Sequence, residues 1–314
     1  MSAVFEVDDS KIRARRERER QLSRRRLLIG GACTVGVVVG GGALASAGLL
    51  PGGTRLRRAL GLDGEDGTIP DVPPGPAALG SFQSEHRKQL TRWAVSYPPG
   101  SKVGARLPVL VSLHGKGGTA GTSFQSLGLD RFLAAAIATG TAPFAIAAVD
   151  GGNTYWHHRD DGTDSGAMVL DELLPILADR GLDTRRLGLF GWSMGGYGAL
   201  HLATRSMVPA VRSVSTMSAA LWTDDHDTAR GAFDDEADFA ADDVFEQRRS
   251  LGSIPMRMDC GTDDPFAGAN REFRDGLATE PAGGFQRGAH SLGYWRRMAP
   301  AHIEFAAHHL TSSP

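Results

Sequence analysis

Gly191-Trp192-Ser193-Met194-Gly195 follows directly on the apolar run Leu187-Gly188-Leu189-Phe190 and leads into Gly196-Tyr197-Gly198-Ala199-Leu200, which starts like a helix. A G-x-S-x-G pentapeptide between a buried strand and a helix forces a sharp turn that lifts the serine hydroxyl out of a sheet. Glycines suit the flanks because strand and helix backbones pass too close there for a Cβ. In a chain with 41 glycines the bare pattern arises by chance, so its meaning comes from the strand before it and the helix after it. The N–H of Met194, in the first helical turn, points where negative charge would develop on a carbonyl oxygen attacked by Ser193.

The remaining pattern agrees with such a turn. Apolar runs at Thr91–Tyr97, Leu107–Leu113, Phe144–Val149, Leu187–Phe190, Val211–Met217 and Ile254–Cys260 read as strands. Helical signals fall between them: Phe132–Ile137, and Leu170, Leu173, Leu174 and Leu177 at helical spacing behind a cap at Asp164 or Ser165. A last helix covers Tyr294–Leu310. This alternation predicts an α/β fold with a mostly parallel central sheet and helices on both faces. Between Leu221 and Ser250 the pattern gives way to acidic residues, Asp224 to Asp243. Two readings of that segment stand equal, a solvated face and a cap over the site.

The first 50 residues read differently. Arginine-rich Lys11–Arg26 precedes an uncharged stretch, Leu27–Leu50, that ends in the A-x-A sequences Ala43-Leu44-Ala45 and Ala45-Ser46-Ala47. Basic, apolar and small-residue regions in that order make an export signal, and Arg24-Arg25 before the apolar run resembles a twin-arginine address. Residues 1–50 are therefore expected to engage the twin-arginine export machinery and to be cleaved, giving an extracytoplasmic, secreted or envelope-associated bacterial protein. An uncleaved signal would instead anchor the chain in a membrane. Residues 51–78, rich in Gly, Pro and Asp, read as a linker, and residues 79–314 as one catalytic domain.

Net charge is -2, so nothing favours nucleic acid as a partner. Cys33 and Cys260 are the two cysteines, and cleavage leaves only Cys260, read as a buried small residue. With no C-x-x-C or H-E-x-x-H, the sequence offers no metal site and implies no cofactor.

A serine nucleophile needs a base within reach and an acid to orient the base. In α/β-hydrolases these follow the serine in the order acid, then histidine. His302, His308 and His309 fall on the last helix, whereas His290 sits in the loop Gly288-Ala289-His290-Ser291 and is the expected base. The acid lies in Asp259-Cys260-Gly261-Thr262-Asp263-Asp264. Asp259 keeps strand register and reads as structural, while composition does not choose between Asp263 and Asp264. A second oxyanion donor is expected from the N–H of Lys116 in His114-Gly115-Lys116-Gly117-Gly118, a loop like the HGGG type. His114 reads as a loop support.

Together, Leu113–Gly118, Gly191–Gly198, Cys260–Phe266 and Gly288–Trp295 resemble the putative esterase family of α/β-hydrolases, the group holding esterase D type S-formylglutathione hydrolases, feruloyl esterases and mycolyltransferases. The likeness spans roughly Leu107–Leu310. The family's D-x-G-x-x-D pattern falls on Asp259, Gly261 and Asp264, which implies Asp264 as the acid. It also implies a substrate-side loop carrying Asp150 and Trp156. The expectation is an exported serine esterase acting on small-molecule or lipid esters. Two alternatives are acyl transfer to an alcohol or sugar acceptor, and a non-catalytic envelope protein on the same fold.

Overall fold

The structure, a computed structural model, describes residues 63–205 and 211–312. The export segment, Cys33 and residues 51–62 of the expected linker lie outside the described residues.

Eight strands form one sheet: β1 (Ala77–Ser84), β2 (Gln89–Ser96), β3 (Pro108–Leu113), β4 (Ala145–Val149), β5 (Asp183–Trp192), β6 (Val211–Met217), β7 (Met256–Gly261) and β8 (Ala282–Gln286). Their spatial order is β1-β2-β4-β3-β5-β6-β7-β8. The pairs β1–β2 and β2–β4 are antiparallel, and every pair from β4 onward is parallel. Every residue of β3 and β4 is buried, as a parallel sheet covered on both faces requires.

The helices are α1 (Leu129–Ala138), α2 (Ser165–Ala167 continuing through Met168–Leu173 and Leu174–Asp179), α3 (Met194–Thr204), α4 (Glu236–Ala241), α5 (Val244–Gln247), α6 (Ala267–Asp275) and α7 (Leu292–Thr311). Successive residues of a strand point to opposite faces, and Leu189 and Phe190 of β5 show where each face goes. Leu189 packs in a core with Val169, Leu173 and Leu177 of α2 and Leu200 of α3. Phe190 packs with Phe132 and Leu133 of α1 and Ile303 and Leu310 of α7. Asp164 caps α2, accepting from Ala167 N–H at 2.7 Å. A widened turn over Met168–Leu173 rotates the helix so that Met168 and Val169 are buried beside Leu173 and Leu177, while Leu170 and Leu174 are only partly covered.

The boundary expected at Leu79 falls inside β1, so the segment before it is not all linker. Gly67 N–H donates to Gly293 O at 2.8 Å, Arg297 donates to Glu65 O at 2.6 Å, and Tyr97 N–H donates to Pro76 O at 2.8 Å. This stretch is held by backbone groups rather than by an apolar face, which is why it carries no hydrophobic period. Among the described residues no helix is long and apolar enough to cross a membrane.

Candidate active site

Ser193 stands between β5 and α3 with φ 54° and ψ -123°. A β-carbon in that region is strained, and such strain persists only where the surroundings impose it. The surroundings are tight. A Cβ on Gly191 would lie 2.0 Å from Gly195 O, and one on Gly195 would lie 1.9 Å from Leu113 O. Both glycines are therefore dictated by the turn. Ser193 N–H donates to Met217 O at 3.0 Å, and Ser193 O accepts from Gly196, Tyr197 and Ala220 N–H at 2.9, 3.2 and 3.0 Å. The turn is thus bonded to β6 and to the loop beyond it.

His290 lies between β8 and α7, and Asp264 follows β7. His290 Nε2 is 2.9 Å from Ser193 Oγ, and His290 Nδ1 is 2.9 Å from Asp264 Oδ2. A carboxylate only accepts, so Nδ1 carries the proton and Nε2 is left with its lone pair toward the serine hydroxyl. Asp264 Oδ1 accepts from Phe266 N–H at 2.9 Å, so both carboxylate oxygens are engaged. The imidazole is clamped edge-on by Trp295 and Phe266, with ring centroids 5.0 and 5.4 Å away. The Asp264 side chain is fully buried and that of His290 is 26% exposed; the acid is sealed and the base opens to the cleft. Asp263 sits at the rim, where its carboxylate accepts from Thr262 Oγ1 at 3.3 Å. The choice that composition leaves open falls to Asp264 on geometry.

Met194 opens α3 beside Ser193. The loop Leu113–Gly118 passes over the serine: a Cβ on Gly115 would lie 3.3 Å from Ser193 Cβ. Lys116 is next to Gly115, with its side chain turned outward, Nζ donating to Arg230 O at 2.9 Å. His114 supports the loop as expected. Its Nε2 accepts from Gly151 N–H at 2.9 Å, so Nδ1 carries the hydrogen toward Gly115 O at 2.8 Å. Burial holds its pKa below the ordinary value, which keeps it neutral.

Two sequence expectations need correction. Trp156 is not on the substrate side. It is fully buried, its ring fills the space that Cβ atoms on Gly151 and Gly198 would occupy, and Nε1 points to His114 O at 3.4 Å. Asp150 is a structural tie: its carboxylate accepts from Ala120 N–H at 2.7 Å and Arg92 Nε at 3.0 Å. His302 is fully buried in α7 with Nε2 3.1 Å from Asp259 Oδ2. Asp259 also meets Arg257 at 2.7 Å and Gln286 at 3.0 Å. Burial works against the Asp259 charge, but His302, Arg257 and Gln286 outweigh it and hold its pKa below the ordinary value. Its structural reading stands.

The acidic segment fits neither of its two readings alone. Some of its aspartates, such as Asp224 and Asp235, face outward, whereas Asp238 and Asp242 turn in toward His157, and it carries aromatic residues that wall the site. Trp222 packs on Tyr155 at 5.5 Å and on Phe266 at 5.5 Å, and Phe266 touches His290. Phe233 packs on Tyr155, Tyr197 and His157. The signal was present in the sequence as phenylalanines at 233, 239 and 245, six apart among the aspartates. That spacing matches neither a helix nor a strand period.

A family model described as "Putative esterase" matches residues 84–302. Among solved structures the chain resembles an S-formylglutathione hydrolase from Agrobacterium tumefaciens, with TM-score 0.63 and 19% identity over 77% of this chain and 98% of that one. It also resembles a ferulic acid esterase, with TM-score 0.62 and 19% identity over 75% and 99%. A third is a fluorophosphonate-binding serine hydrolase of Staphylococcus aureus, with TM-score 0.58 and 18% identity over 75% and 99%. Among curated proteins none matches. The structural likenesses establish the α/β-hydrolase fold, and the family match covers every residue of the hydrogen-bonded Ser193–His290–Asp264 set. The chain belongs to the putative esterase family and is a hydrolase acting on esters.

Proposed function

We propose that the protein is an exported serine esterase that hydrolyses carboxylic esters of small molecules or lipids through an acyl-enzyme. Ser193 Oγ attacks the ester carbonyl while His290 Nε2 takes its proton. Asp264 holds the imidazole by Nδ1–H and stabilises the imidazolium that forms. The N–H groups of Met194 and Lys116 receive the oxyanion, each such donor contributing about 2.7–4 kcal/mol to the barrier reduction. His290 then protonates the leaving alcohol. In the second half it deprotonates water, which attacks the acyl-serine and releases the acid.

The observation that carries this reading is the unbroken pair of 2.9 Å contacts from Asp264 through His290 to Ser193. The strained φ of Ser193 supports it. Export is supported by the sequence of residues 1–50, where Arg24-Arg25 precedes the apolar stretch. A panel of esters graded by acyl length tests the activity. Ser193→Ala is expected to lose turnover on every active ester by about 10⁴-fold or more with an unchanged circular dichroism spectrum. Turnover retained by a folded Ser193→Ala protein would overturn the reading.

A further inference from the structure

Away from Ser193, the acidic segment meets the core through a cluster that ester hydrolysis does not use. His157 is fully buried. Its Nε2 donates to Ala232 O at 2.9 Å. Its Nδ1 faces acceptors alone: Asp242 Oδ2 at 3.3 Å, Asp238 Oδ1 at 3.4 Å and its neighbour's carbonyl, His158 O, at 2.8 Å. The ligand atoms of His157, Asp238 and Asp242 all lie within 4.8 Å of one another. Beside them His201, on α3, is 3% exposed, and neither of its ring nitrogens has a hydrogen-bond partner. It turns Nε2 toward Asp242 Oδ1 at 3.6 Å.

We propose that His157, Asp238 and Asp242 form a binding site for one divalent transition-metal ion, Zn²⁺ by preference, with the fourth position left to water and the buried His201 beside Asp242. The spacing fits the ion. Four donors at about 2.0–2.1 Å from Zn²⁺ in a tetrahedron stand about 3.3–3.4 Å apart, and the His157–carboxylate separations are 3.3 and 3.4 Å. The His157 hydrogen bond through Nε2 to a backbone carbonyl is the outer-shell arrangement that fixes a ligating imidazole with its other nitrogen toward the metal. The charge fits as well. Among the described residues neither Asp238 nor Asp242 has a lysine or arginine within ion-pair distance, and two carboxylates balance one dication. The His157 imidazole argues against Ca²⁺ and Mg²⁺, which take oxygen ligands. His201, unpartnered at both ring nitrogens, flanks the other oxygen of Asp242 and would donate to it once that carboxylate binds the ion. The other carboxylate oxygen of Asp238 accepts from Asp234 N–H at 2.7 Å, and Tyr197 Oη donates to Asp242 O at 2.7 Å. The acidic ligands are therefore already fixed in place. No local sequence motif announces such a site, because its donors come from positions 157, 238 and 242, the first far from the other two.

The test is Zn²⁺ titration of the full chain, stripped with chelator, followed by calorimetry and thermal melting. The expected result is one ion per chain and a melting temperature raised by about 5–10 °C at a hundredfold excess over Kd. Asp238→Asn should weaken binding by more than the about 10–100-fold that loss of an outer-shell partner costs, and His201→Ala by about that amount. Asp224→Asn with His226→Ala removes an exposed cluster and should leave binding unchanged. Co²⁺ loaded into the wild-type chain should give the intense visible bands of four-coordinate cobalt, a readout that needs no variant to fold. Absence of stoichiometric Zn²⁺ binding by the wild type, or binding undiminished in folded Asp238→Asn, would overturn the proposal. The cluster would then be a buried imidazolium–carboxylate ion pair only.

Discussion

Asp264→Asn should cripple the enzyme through one hydrogen atom. Asp264 Oδ1 accepts from Phe266 N–H at 2.9 Å, and Oδ2 accepts from His290 Nδ1 at 2.9 Å. An asparagine has a single oxygen. The main-chain N–H of Phe266 can only donate, so that oxygen stays with it and the amide NH₂ turns to His290. Nδ1 must then accept, which moves the imidazole hydrogen to Nε2, facing Ser193 Oγ. In that tautomer His290 cannot take the serine proton. The expected loss in kcat is about 10⁴-fold, which is about 5.4 kcal/mol at 1.36 kcal/mol per decade. Asp263→Asn, whose carboxylate meets Thr262 at the rim, should retain kcat within about threefold; surface changes of this kind typically cost under 0.5 kcal/mol. Steady-state kinetics on a short-chain ester, with melting temperatures to exclude unfolding, decide it. A folded Asp264→Asn protein with more than a tenth of wild-type kcat, or a reversed ranking of the two variants, would refute the tautomer argument.

Other consequences are as specific. The Asp259 carboxyl pKa is held below its ordinary value by His302, Arg257 and Gln286 against the effect of burial, so its stabilisation is complete above about pH 4 and fades as the pH falls through the lowered pKa. Asp259→Asn should therefore cost about 3 kcal/mol at pH 7 by leaving Arg257 unpaired and flatten the acid limb of the stability profile, as denaturant melts from pH 2 to 7 will show. Phe233→Ala removes the ring shared by Tyr155, Tyr197, Trp222 and His157 and should cost about 2–3 kcal/mol, a fall in melting temperature of about 5–10 °C; an unchanged melt would return the acidic segment to a solvated face. Replacing Arg24, Arg25 and Arg26 together by lysine should leave the protein in the cytoplasm, and undiminished export on cell fractionation would point to another route.

Most of the sheet could be read from the sequence because its central strands carry apolar residues through their buried parts: β3, β4 and β6 fall where the pattern puts them, and β5 holds the expected Leu187–Phe190 but starts earlier, at Asp183. The edges could not. β1 alternates exposed and half-buried residues after a Gly/Pro stretch, and β8 reads Ala-Gly-Gly-Phe-Gln, with both glycines at positive φ, so neither carries a strand signal. α6 was missed because only Ala267, Asn270 and Phe273 are buried on a charged helix. Of the site, Ser193 and His290 were legible because a fixed turn and a fixed chain order constrain them. Asp263 and Asp264 are adjacent and chemically identical, and only three-dimensional placement separates them: Asp264 is buried and meets His290 and the Phe266 N–H. Trp156 and Asp150 were misplaced because a loop after a strand can turn either toward the cleft or inward. Positive φ at Tyr155 and Trp156, which the residue types do not reveal, turns this one inward.

The central claim is that Ser193 is a nucleophile primed by His290. Its most direct test is intact-mass and peptide-mapping spectrometry of the full chain after exposure to a fluorophosphonate, which forms a stable bond to an activated serine oxygen. The account predicts one adduct per chain, on the peptide containing Ser193, absent in Ser193→Ala and slowed by about 10⁴-fold in Asp264→Asn. Absence of an adduct in the folded wild-type protein, or an equal adduct in Ser193→Ala, would contradict it.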